Sequence, residues 1–310
     1  MNSKETSNNF QGIWDRDKTN DAILSAAETM REEKPAVGSQ KKKKPKSWGM
    51  LSAIVILALS FVTQAIYLVI AGLINPEVVT GLLTSPDPIF ILGSGIVLNG
   101  TWILGMLYVS RKKGKGSFKE DYKLAFKFKD IFIGLGLAAL LFGLVQLSAA
   151  LFSSLGLDLT GSDNGSTFAN LEGIWFILIG IGMASIMGPI SEELFFRGMF
   201  LQGIINTLNK QKEYFIKVSE KSKTFNPEKF VNFIRIITIP TAIVISSVVF
   251  GFMHIQGTET FGQWYVIIAT GTLGLFFGIF SVIFKRLGPV IYGHVFYNAA
   301  TLIIGVVFAS

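Results

Sequence analysis

The 310-residue sequence contains no cysteine and only two histidines, His254 and His294. The first absence excludes disulfides, thiolate metal sites and a cysteine nucleophile. Charge is scarce as well: 16% of residues are charged and 50% hydrophobic, with a mean hydropathy of +0.50. A soluble domain carries a larger charged share and a smaller apolar one. The zinc-protease helix H-E-x-x-H is missing, and there is no internal repeat or pair of matching broken helices of the kind that marks many transporters. Residues 1–48 lack an apolar segment followed by a small-residue cleavage site and do not read as a signal peptide.

What the chain has instead is a series of nearly uncharged windows of about 20 residues, the length that crosses a hydrocarbon core of roughly 30 Å. The expected fold class is all-α: a polytopic helical membrane protein with about seven spans. These are residues 48–74, 88–110, 130–155, 174–208, 236–254, 264–284 and 289–309. The fourth is too long for one simple crossing, and Gly188-Pro189 within it predicts a kink or break. Two domains are expected: a basic, largely disordered tail over 1–48 and a transmembrane domain over 49–310. The tail ends in Lys41-Lys42-Lys43-Lys44-Pro45-Lys46, suited to anionic headgroups. Within it, Ile23, Leu24, Ala27 and Met30 recur at helical spacing, consistent with a short helix over Asp21–Glu33.

The net charge of +7 does not point to nucleic acid, because the basic residues stand beside the spans. Arg111-Lys112-Lys113-Gly114-Lys115, the lysine-rich stretch 210–229 and Lys285-Arg286 fall on the side of the tail. Residues 75–87, 156–173 and 255–263 contain no Lys or Arg. An N-inside topology satisfies every loop, so the tail is expected in the cytosol and the chain in a plasma membrane, of bacterial character.

Against this background the few ionisable residues at membrane depth stand out, since they are costly there and face cavities, partners or pathways. In the fourth span, Glu193 and Arg197 are four apart and share a helix face, which predicts an ion pair. Glu192 points about 100° away and is left without that partner. A partly desolvated, unpaired carboxylate suits a general base. The bland reading, two glutamates snorkelling to the interface, competes with it. In the fifth span Phe250 and His254 share a face, and in the seventh His294 and Asn298 do. A lone histidine on an apolar helix is more often a hydrogen-bonded packing residue than a catalyst; the weight here comes from the combination.

Glu192-Glu193-x-x-x-Arg197, Phe250-x-x-x-His254 and His294-x-x-x-Asn298, in that order on three spans, resemble the motifs of the CAAX-protease and bacteriocin-processing (CPBP, Abi) family. These are intramembrane endopeptidases related to the Ras-converting enzyme. The resemblance covers about residues 170–305, the family-like protease core. It implies hydrolysis of a peptide bond in a membrane-associated peptide or protein. Glu192 and His254 would activate water, and His294 and Asn298 would hold the oxyanion. Glu193, Arg197 and Phe250 would support the site. The cofactor stays open between one Zn ion, held by Glu192, His254 and His294, and no metal. Two other functions stay open: a catalytically silent binding or regulatory member of the family, and a proton-coupled transporter. The implied partners are a peptide or membrane-protein substrate and the lipid bilayer, not nucleic acid, with the oligomeric state undetermined. One difficulty is topological. Simple crossings place Glu192 near the inner end of its span and His254 near the outer end of the next, so the two meet only if a helix tilts, breaks or starts deeper.

Overall fold

A computed structural model describes residues 48–78, 87–160, 162, 171–219, 227–255 and 260–309. The basic tail and the helix read at Asp21–Glu33 lie outside these. The described residues contain helices and no strand. Helices α1 (Met50–Ile74) and α2 (Pro88–Lys113) form a hairpin. A single turn, α3 (Phe118–Asp121), leads into α4 (Lys129–Ser154). The central element α5 is one helical run over residues 173–219. Helices α6 (Pro227–Phe252), α7 (Phe261–Phe284) and α8 (Gly288–Ala309) complete the bundle.

The ends follow from local chemistry. Asp87 caps α2 by accepting from the N–H groups of Ile89 and Phe90, with Pro88 in the first turn where its missing N–H costs nothing. Arg111, Lys112 and Lys113 close the same helix, where cations meet its negative end. Thr260 and Gln263 form a reciprocal capping box at the start of α7.

Among the described residues six helices are long and apolar enough to cross a membrane, and Ile236–Phe252 of α6 is a shorter apolar stretch that falls on the expected fifth span. Helix α6 begins at Pro227, nine residues before the expected span, and pairs with the Leu201–Ser219 end of α5. It also stops early. A Cβ on Gly251 would sit 2.6 Å from the carbonyl oxygen of Ile267 and 3.1 Å from Gly271, and one on Gly274 would sit 3.2 Å from Cα of Ser247. This antiparallel register puts His254 level with about residue 267, so α7 runs roughly 9 Å beyond it to Phe261. His254 therefore lies short of the Phe261 end of α7, alongside that helix and not beyond it.

Helix α5 runs without a break through Gly188-Pro189, where its helix type changes on either side. A short α segment, Gly188–Glu193, lies between two π-helical stretches, Phe176–Met187 and Leu194–Phe200, and Leu201–Ser219 continues as α-helix. The N–H of Gly188 donates to Met183, five residues back. In that register Pro189 would have donated to Ala184, and it has no N–H to give. Asn298 of α8 fills the gap: its Nδ2 donates to the Ala184 carbonyl at 2.9 Å.

The core gathers around the second π stretch, where Phe195, Phe196 and Met199 are fully buried. Trp102 of α2 stacks on Phe195, ring centroids 4.9 Å apart. At the Lys-rich end, Arg286 grips Asp130 with two hydrogen bonds, Nη2 to Oδ1 at 2.5 Å and Nε to Oδ2 at 3.1 Å. The same pair holds Arg286 above the usual guanidinium range, chiefly through its hydrogen bond to Asp130. Leu287 and Gly288 also donate to the carbonyls of Lys123 and Ala125, so the α3–α4 connection clamps the α7–α8 turn.

Candidate active site

Glu193 and Arg197 form the expected i,i+4 pair, Oε1 to Nη1 at 2.8 Å, with both side chains almost completely buried. Arg197 also donates to the carbonyl of Gly274 at 3.2 Å, and its guanidinium lies 4.3 Å from the centre of the Phe250 ring. His294 joins the pair: its Nδ1 is 2.9 Å from the same Glu193 Oε1. A carboxylate paired with Arg197 accepts, so Nδ1 of His294 carries a proton and donates. The ring stacks on Phe277 at 5.1 Å and the residue is buried.

His254 is oriented the same way by a different group. Its Nδ1 lies 2.8 Å from the carbonyl oxygen of Phe250, which can only accept. In the neutral ring the Nε2 of each histidine is therefore left with its lone pair. Both lone pairs face Glu192. Its Oε2 is 3.9 Å from Nε2 of His254 and 3.8 Å from Nε2 of His294. Among the described residues this buried oxygen has no hydrogen-bond partner. The side chains of Glu192 and His254 are 22% and 27% exposed, while that of His294 is 4% exposed, so the cluster opens on the Glu192–His254 side.

Ser246 of α6 donates to the Phe196 carbonyl at 3.2 Å and so sets the register between α5 and α6. Glu192 is one turn back along α5 from that contact, and His254 two turns on along α6. Early termination of α6 puts the histidine within reach of the carboxylate.

The structure thus brings Glu192, His254 and His294 together, with Glu193, Arg197 and Phe250 packed around them. Asn298 stands apart in its bonding: one of its two N–H groups is spent on Ala184. Sequence reasoning missed Phe277, Gly274, Asn99 and Ser191. Phe277 and Gly274 sit on an apolar helix with no motif to mark them. Asn99, a polar residue 7% exposed in the middle of a span, was a visible signal.

Tetrahedral zinc with bonds of 2.0–2.1 Å needs ligand atoms about 3.3 Å apart. The distances of 3.8 and 3.9 Å exceed this, and no group of three or more His, Cys, Asp and Glu among the described residues is placed to hold an ion. As placed, the residues do not fit a metal.

Fold and cluster together define a class: an all-α, polytopic membrane protein with a carboxylate–imidazole site between its helices. Residues 170–300 match the family model of the type II CAAX prenyl endopeptidases, Rce1-like. The family resemblance drawn from the three motifs is borne out over that segment, and at the level of the family it supports a CAAX-type intramembrane protease. No curated protein and no solved structure matches the chain.

Proposed function

We propose that the protein is an intramembrane endopeptidase in which Glu192 and His254 activate a water molecule for attack on a peptide carbonyl. The observation that carries this reading is the convergence of Glu192 Oε2 with two imidazole Nε2 atoms at 3.8–3.9 Å. These gaps are too long for direct hydrogen bonds, and the two acceptors that activate the water, Glu192 Oε2 and Nε2 of His254, gain from a donor between them. Water supplies two protons and fits that need.

In this mechanism His254 orients the water through its Nε2 lone pair, and Glu192 takes a proton from it. The oxygen bonds to the carbonyl carbon as the carbonyl π pair moves onto oxygen. His294, in its protonated form, donates from Nε2 to that oxyanion, and the Glu193 carboxylate behind it stabilises the imidazolium. The second N–H of Asn298 serves the same oxyanion. Collapse breaks the C–N bond, and Glu192 returns its proton to the leaving amine. Water is consumed and the residues regain their starting states. The N-inside topology gives the Lys-rich face to the cytosol, and the substrate is a membrane-associated peptide or protein of the CAAX type.

The test is a comparison of membrane peptides from cells producing wild-type protein and cells producing Glu192→Ala at equal level. A peptide product confined to the wild type supports the proposal, and identical peptide sets sink it.

A further inference from the structure

The family-matched segment contains Glu192 but not everything that holds it. The α segment carrying Glu192 spans only Gly188–Glu193 and is flanked by π-helical stretches, so the helix phase changes on both sides of it. Asn298 secures it from one side through Ala184. On the other side stands Asn99 of α2, outside residues 170–300. Its Nδ2 donates to the Gly95 carbonyl at 2.7 Å and lies 3.4 Å from the sulfur of Met183. With the nitrogen so placed, Oδ1 faces the hydroxyl of Ser191, which donates to it. The same hydroxyl lies 2.9 Å from the Gly188 carbonyl. Ser191 is 1% exposed and immediately precedes Glu192. One turn further along α2, Trp102 stacks on Phe195, so two consecutive turns of α2 grip two consecutive turns of α5.

We propose that Asn99, acting through Ser191, is a positioning residue that sets the rotation of Glu192 about the α5 axis. The inference rests on the catalytic role proposed for Glu192, and extends the machinery to a helix that carries none of the three motifs. Apolar packing alone would hold α2 against α5 but would leave the phase of the short α segment free to slip by a fraction of a turn. A displacement of about 1 Å at a reacting group costs up to roughly 100-fold in rate.

Two measurements test it. The chain has no cysteine, so Glu192→Cys provides a unique thiol whose reaction with a charged methanethiosulfonate can be timed in membranes. Adding Asn99→Leu, or the smaller change Ser191→Ala, is expected to alter that rate at least about fivefold. The rate of a control thiol at Phe128, 78% exposed, should stay the same. An unchanged rate at position 192 in both backgrounds overturns the proposal. This arm requires no proteolysis. In the second arm, protein in proteoliposomes is given a prenylated peptide with a Cys-aliphatic-aliphatic-residue C-terminus. Asn99→Leu and Ser191→Ala should each lower kcat about 10- to 100-fold at unchanged KM, and the double variant no further. Ser191→Thr, which keeps the hydroxyl, should recover most of the loss. Full kcat in both single variants, or losses that multiply in the double, contradict positioning through one bond. Absence of cleavage by the wild type counts against the proteolytic reading alone, and the thiol rates then decide the role of Asn99.

Discussion

Removing Arg197 while leaving Glu193 in place should be among the most damaging single changes in the protein. The two groups are 2.8 Å apart and buried, and Glu193 Oε1 also takes the proton of His294. At an effective dielectric of about 20, the attraction across that distance is roughly 6 kcal/mol. Desolvation of two ions offsets most of this in the intact pair, so the pair itself adds little net stability. Deleting one partner is different, because it strands a charge with no water to receive it. Arg197→Met should therefore destabilise the protein by about 3–5 kcal/mol. Glu193→Leu combined with Arg197→Met should recover much of that loss, since it removes both charges. Thermal unfolding of detergent-solubilised protein, followed by tryptophan fluorescence, measures the series. The two substitutions should also separate stability from activity: the double variant folds, but His294 loses its orienting acceptor and cleavage stays low. Wild-type stability in Arg197→Met would refute the reasoning, as would a double variant less stable than the single.

Other outcomes follow from the same contacts. Asn298→Ala leaves the Ala184 carbonyl without its donor and should cost about 1–2 kcal/mol; adding Pro189→Ala, which restores a backbone N–H, should recover that stability in a melting experiment without restoring cleavage. Asp130→Asn weakens the grip on Arg286 and should lower the melting temperature measurably, with little effect on KM. Tyr122, buried and donating to the Met106 carbonyl at 2.7 Å, has its phenol pushed well above the ordinary range, chiefly by burial. The raised value favours the folded state fully below about pH 10, and the advantage is lost as pH rises above that. The stability gap between wild type and Tyr122→Phe should then be constant at neutral pH and narrow in alkali, as read by denaturation across pH 7 to 11.

Much of this was legible in the residues. Charge-free windows located the helices, because a backbone in hydrocarbon must satisfy itself. The offset of Glu192 from Glu193 by one residue assigned them to different faces, and the structure has Glu193 against Arg197 and Glu192 facing the histidines. Three things were not legible. Pro189 reads as a break because proline costs a helical hydrogen bond, yet a side chain 109 positions away supplies the missing donor. The extension of α6 back to Pro227 was not legible, because hydropathy sees where a helix is apolar and not where it begins. The tautomers of His254 and His294 depend on the Phe250 carbonyl and on Glu193, which are contacts of the folded state.

The most direct test of the central claim is cleavage of a prenylated CAAX-type peptide by purified protein in proteoliposomes, wild type against Glu192→Gln. Glutamine keeps the size and one acceptor but is no base, so kcat should fall by about 100- to 10,000-fold while the protein melts near the wild-type temperature. Cleavage by Glu192→Gln at the wild-type rate would contradict the account.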